Sequence, residues 1–188
     1  MNRLPGSEIL TLEPLIESVR EGVMGAGWLL SGLQKTTSTE FDGAWEGEST
    51  RSAYLFFHRV DLPEAVSVEG FLDETSAGLR GNLSLVVDGP PMGRGGAVPA
   101  LLGSVSRAAA ETLPPGPLTP VALRLALRDP RDPVDAARIQ LRIKLQLPQG
   151  AIRAGESGVS SLATAVVEAF ERLLERPEVA GLLPDVTE

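Results

Sequence analysis

Apolar and polar residues alternate without a break through residues 138–147, RIQLRIKLQL. Ile139, Leu141, Ile143, Leu145 and Leu147 fall on one side, and Arg138, Gln140, Arg142, Lys144 and Gln146 on the other. A period of two predicts a strand with one buried face. The run VALRLALR (121–128) repeats the pattern, with Val121, Leu123, Leu125 and Leu127 opposed to Ala122, Arg124, Ala126 and Arg128. The connector DPRDPVDAA (129–137) is too long for a two-residue hairpin turn but allows the two strands to be neighbours.

Elsewhere the period changes to that of a helix. Leu12, Leu15, Ile16, Val19 and Val23 follow i, i+3, i+4, i+7 and predict a helix over 12–23, with Thr11 as N-cap, Pro14 in the first turn and Gly22 as a stop. Its Glu13, Glu17 and Glu21 are expected to face water. A second helix is expected over 97–112. A third is expected in GVSSLATAVVEAFERLLERPEV, where Leu162, Val166, Ala169, Phe170, Leu173 and Leu174 make one stripe and Pro177 ends it. That stripe reads as core, with a dimer seam as the alternative. Strand-like stretches at 28–39, 41–48, 52–60, 66–74 and 78–88, about ten residues apart, predict an antiparallel meander. Within it SAYLFFHRV (52–60) reads as a buried central strand.

The order is helix, strands, helix, two strands, helix. It predicts an α+β fold: a single domain over 1–188, a candidate subdivision near 89–96, and an antiparallel sheet (meander plus a two-stranded basic ribbon) packed with three helices. The element order is similar to that of the YbjN and type III secretion chaperone fold.

Composition narrows the chemistry. Of 188 residues 43% are hydrophobic and 22% charged, enough to bury a core. With no cysteine, disulfides, thiolate metal sites and thiol nucleophiles are excluded. Pro5 and Glu8 interrupt the N-terminus where a signal peptide needs its apolar run, and no stretch approaches the roughly 20 apolar residues of a membrane span. A cytoplasmic protein without membrane partners is expected.

Charge adds a polarity. The chain carries −8 overall, yet residues 121–153 hold seven basic residues against three acids, a net +4, so the rest carries −12. If the two alternating strands pair with their apolar sides in register, Arg124, Arg128, Arg138, Arg142 and Lys144 share one face. Same-face residues on a strand lie roughly 7 Å apart, so these cations repel one another unless something neutralises them. An anionic partner such as a nucleic-acid backbone would, and arginine offers phosphate a bidentate fork. No aromatic lies on the ribbon itself; the nearest are Trp28, Trp45 and Tyr54 on other strands. The alternative is a solvated face, or one covered by the acidic first helix.

Other candidates are weaker. The Gly-rich loop GPPMGRGG (89–96), with Arg94, precedes a helix, but it lacks the Lys-Ser/Thr pair of a P-loop and the dinucleotide spacing. His58, the sole histidine, shares a face with Tyr54 and Phe56 and reads as a core or sheet-face residue. Glu40, Asp42, Glu46 and Glu48 do not follow a calcium loop and read as a solvated acidic hairpin. Residues 22–32 read as a glycine-rich hinge. No nucleophile, base and orienting group can be assembled, so no enzyme and no cofactor are expected.

The arginine-paired runs LRLALRDPRDP and RIQLRIKLQ, in a cysteine-free chain rich in Leu, Pro and Arg, resemble in style the lineage-specific stress proteins of radiation-resistant Deinococcus, the DNA damage response protein D type. The resemblance covers the second half of the chain and carries over no residue. It implies DNA binding, preferentially of single strands, in a damage or stress response. The alternatives are a chaperone-like adaptor that takes a protein partner or a second copy, and a small protein holding an apolar ligand between its last helix and the meander.

Overall fold

A computed structural model describes residues 8–38, 50–89, 98–114, 122–127 and 136–183. The fold is α+β, as its alternation predicts. Six strands, β1 (Leu29–Ser38), β2 (Thr50–His58), β3 (Val66–Thr75), β4 (Gly78–Gly89), β5 (Ala122–Leu127) and β6 (Ala136–Gln146), form one antiparallel sheet in the order β1-β2-β3-β4-β6-β5. The first four are the expected meander, and β5 pairs with β6 as the ribbon. The described residues hold five helices rather than three: α1 (Leu12–Gly25), α2 (Val98–Thr112), α3 (Gln149–Arg153), α4 (Glu156–Leu174) and α5 (Pro177–Ala180). The additions, α3 and α5, are too short to show a hydrophobic period. Pro177 opens α5 rather than only closing α4, because a proline at N1 has no N–H to waste.

The inner sheet face is built by parity. Ala53, Leu55 and Phe57 of β2 pair with Leu72, Gly70 and Val68 of β3. These pair in turn with Gly81, Leu83 and Leu85 of β4, and the latter two with Leu145 and Ile143 of β6. Every non-glycine residue of this set is at most 2% exposed. Helices α1 and α4 bury it. Leu12, Leu15, Ile16, Val19 and Val23 of α1 and Val166, Val167, Ala169, Phe170 and Leu173 of α4 are at most 2% exposed, each burial worth about 1.5–3 kcal/mol for the larger side chains. The C-terminal stripe is therefore core.

Three local expectations change. Gly22 does not stop α1; the helix runs to Gly25, and Gly22 is where α1 meets α4. A Cβ there would collide with the Ser160 carbonyl oxygen and come within 2.8 Å of Ala163 Cβ, while Thr164 Oγ1 donates to the Gly22 carbonyl at 2.9 Å. Thr11 occupies the N-cap but its side chain makes no cap bond; the Leu12 N–H donates instead to Glu74 Oε2 of β3 at 2.7 Å. The expected 22–32 hinge is the end of α1 and the start of β1 joined by a tight turn at 26–27, with Gly27 at φ 90° and its N–H bonded to the Met24 carbonyl at 2.9 Å. The expected strand at 41–48 lies outside the described residues.

Arg51 of β2 ties the two layers at this end, pairing with Glu13 of α1 and reaching Glu74 at 3.5 Å. The Arg51 hydrogen bond lowers the Glu13 pKa below its ordinary 4.5. A lowered carboxylate pKa stabilises the fold above the unfolded value, so this small contribution is present at neutral pH and fades as the pH falls below 4.5. In Arg51→Ala the Glu13 titration, followed by NMR, is expected to move back up toward 4.5; an unmoved midpoint would show the pairing to be absent in solution. Gly22→Ala is expected to lose about 1–3 kcal/mol in urea unfolding by overpacking. Gly25→Ala, with open space at its Cβ, is expected to stay within about 1 kcal/mol of the parent or gain slightly. Equal effects at the two positions would contradict the close contact.

Candidate functional site

The same parity fills the outer sheet face mostly with polar and aromatic residues; Val86 is an apolar exception, and it and its neighbour Ser84 are 2% and 1% exposed. Ser52, Tyr54, Phe56 and His58 of β2 point away from the helices, as do Glu69, Phe71 and Asp73 of β3 and Arg80, Asn82, Ser84 and Asp88 of β4. Strand β2 is thus not buried on both sides: Tyr54 and Phe56 are 39% and 38% exposed, and β2 is second from the sheet edge. His58 is exposed at the end of this face, so it is a sheet-face rather than a core histidine.

The ribbon pairs in the predicted register, Leu123 opposite Leu141 and Leu125 opposite Ile139. This places Arg124 opposite Gln140, Arg142 opposite Ala122, and Arg138 opposite Ala126, so no two basic residues face each other across β5 and β6. On the other side of β6, Lys144 stands opposite Ser84 and Arg142 opposite Val86. Like-charge repulsion is spread over a checkerboard of cations and small or neutral residues.

The five ribbon cations are not equivalent. Arg124 is exposed and, among the described residues, has no acidic partner. Arg142 is half-buried, and its Nη1 donates to Glu69 Oε2 of β3 at 2.6 Å. Lys144 is half-buried and engaged. Arg138 holds its outer-face register position, but its side chain, like all of Arg128, lies outside the described residues. Gln140 Nε2 donates to Asp88 at 3.1 Å. At the far end of the face, Asp73 accepts two bonds from Arg80, at 2.8 and 2.6 Å, and one from Ser52 at 2.8 Å. Internal pairing therefore neutralises part of the face.

The acidic first helix does not cover the ribbon. It lies on the opposite side of the sheet, against α4 and the inner face, with Glu13, Glu17 and Glu21 exposed. Among the described residues all five helices belong to the inner layer, and α2 packs with α4 and α5. Trp28, considered as a stacking residue, is fully buried there; its Nε1 donates to Glu171 of α4 at 2.9 Å, and Arg59 pairs with the same carboxylate. Trp45, Arg94 and the acidic group Glu40, Asp42, Glu46 and Glu48 lie outside the described residues.

The outer face also brings together aromatics that are far apart in the chain. The rings of Tyr54 and Phe71 are 4.9 Å apart, centroid to centroid, and tilted by 47°. Strand parity in AYLFF would have put Tyr54 and Phe56 on this face, but Phe71 and its nearness to β6 follow only from the sheet order. Among the described residues no group of three or more His, Asp or Glu could hold a metal ion, and no helix is long and apolar enough to cross a membrane.

No protein-family model, no curated protein and no solved structure matches the chain.

The Arg142–Glu69 pair has each side chain about a quarter exposed. Glu69→Gln is expected to cost about 1 kcal/mol in chemical unfolding, because it leaves the guanidinium with a weaker acceptor. Glu168→Gln, on the exposed side of α4, should cost nothing measurable. A neutral Glu69→Gln would show that the pair contributes nothing to the face.

Proposed function

We propose that this chain is a non-enzymatic protein that binds single-stranded nucleic acid, with DNA as its first candidate, on the outer face of its sheet. The observation that supports this is the one-sided architecture. The helices that would neutralise the ribbon lie on the other face, leaving Arg124 exposed beside Arg142, Lys144 and the position of Arg138. Same-face positions on β6 recur at roughly 7 Å, a spacing suited to successive phosphates. Contacts of this kind hold the backbone and carry little sequence preference. A DNA-damage or stress response is the setting the compositional resemblance implies, and a cytoplasmic location is the expectation set by the N-terminal sequence and the lack of an apolar stretch long enough for a membrane span.

A specific observation favours a second reading, a protein-interaction module. Strand β1 ends the sheet, and Leu29 and Leu33 on it are 43% and 44% exposed. Among the described residues no strand pairs with the outer edge of this ten-residue strand, and an edge with few charges invites a further strand. If that edge is used by a second copy, light scattering will give a dimer that Leu33→Lys converts to a monomer. A monomer at all concentrations excludes self-pairing. No comparable observation favours the apolar-ligand reading.

Fluorescence anisotropy with labelled single- and double-stranded oligonucleotides tests the first reading. Binding should weaken steeply with salt, by about 0.7 in log–log slope for each phosphate contact on a single strand. Arg124→Glu should lower affinity several-fold and flatten that slope. Glu69→Gln, which removes an acid from the face, should raise affinity. Absence of binding at low salt would refute the reading.

A further inference from the structure

One cross-strand row on the outer face runs Gln34, Tyr54, Phe71, Asn82, Gln146, from β1 across β2, β3 and β4 to β6. Its middle is two aromatic rings in contact, and its β6 end is two carboxamides. We propose that this row is a nucleobase subsite, in which unpaired bases stack on Tyr54 and Phe71 and place their edges against Asn82 and Gln146. The inference rests on the reading of the ribbon as a phosphate-binding face, and goes beyond it by making affinity depend on the bases.

Four observations converge on this row. Gln34 and Gln146 are exposed, so both ends of the row are open; between them Tyr54 is 39% exposed, and Phe71 and Asn82 are half-buried. A carboxamide offers both a donor and an acceptor, which matches the mixed edges of unpaired bases. Asn82 is only loosely engaged: its Oδ1 accepts from Ser84 Oγ at 3.5 Å. Lys144 and Arg142 lie two and four residues along β6 from Gln146 on the same face, so the row ends beside the cations. The β3 and β6 strands are two inter-strand spacings apart, roughly 10 Å. A nucleotide with its base over Phe71 can therefore direct its phosphate toward β6.

The rings and carboxamides of the row select a nucleic acid over an acidic peptide. A peptide would satisfy the cations equally well but would leave the two rings and two amides without a matched partner. A duplex would offer phosphates while keeping its bases stacked and paired, so it would use the ribbon and not the row.

The test uses the full chain and three labelled probes of equal length, about 12 nucleotides: oligothymidine, its abasic counterpart, and a duplex. Oligothymidine should bind more tightly than the abasic strand and the duplex. Tyr54→Ala should weaken oligothymidine binding by roughly 5- to 150-fold, the range of one lost base stack, and leave the abasic strand unchanged. Tyr54→Phe should retain binding. Gln146→Ala should change the ranking of oligothymidine against oligoadenosine. Circular dichroism and melting of each variant establish that it is folded. Equal binding of oligothymidine and the abasic strand, both weakened by Arg124→Glu and neither by Tyr54→Ala, would overturn the base subsite while leaving the ribbon standing. No binding of any probe would overturn both.

Discussion

The contact between α1 and α4 decides which side of the sheet is covered. The two helices can lie close over the inner face because Gly22 has no side chain to hold them apart, and Thr164 closes the gap with a bond to the Gly22 carbonyl. Beneath them, the period of two sends leucine, valine, isoleucine and phenylalanine of β2, β3, β4 and β6 inward. A strand cannot bury one side chain without presenting the next on the other face. The outer face is thus the obligatory complement of the core, and its chemistry is whatever the sequence places at the alternate positions.

Those positions are graded across the sheet. Tyr54, Phe56 and Phe71 occupy β2 and β3, Asn82, Ser84 and Val86 lie on β4 between Arg80 and Asp88, and the ribbon cations occupy β6 and β5. The acids on this face are engaged: Glu69 with Arg142, Asp73 with Arg80 and Ser52, Asp88 with Gln140. Helical acid sits on the other layer at Glu13, Glu17 and Glu21. An overall charge of −8 is therefore compatible with an anion-binding surface, because the described acids on this face are paired and the helical acids lie on the other layer.

Much of this was legible in the sequence. Alternation in 121–128 and 138–147 set the register of β5 against β6, and the stripe from Leu162 to Leu174 marked the face of α4 that enters the core. What escaped depends on long-range pairing. Glu74 caps α1 from 62 residues away, and Glu69 meets Arg142 across 73. Neither separation has a local period. The aromatic run of β2 looked like a strand buried on both sides because Leu55 and Phe57 are as apolar as Tyr54 and Phe56, so hydropathy alone did not separate its faces. Gly22 reads as a helix stop by composition. Only the approach of α4 shows it to be a contact residue.

The most direct measurement is the mapping of backbone amide and methyl NMR shifts during titration with single-stranded oligothymidine. Changes are expected at outer-face positions of β2 to β6, strongest around Tyr54, Phe71, Arg124, Arg142 and Lys144, with α1 and the inner stripe of α4 unmoved. Shifts concentrated on the helix layer, or none at saturating oligonucleotide, would contradict binding on the outer face.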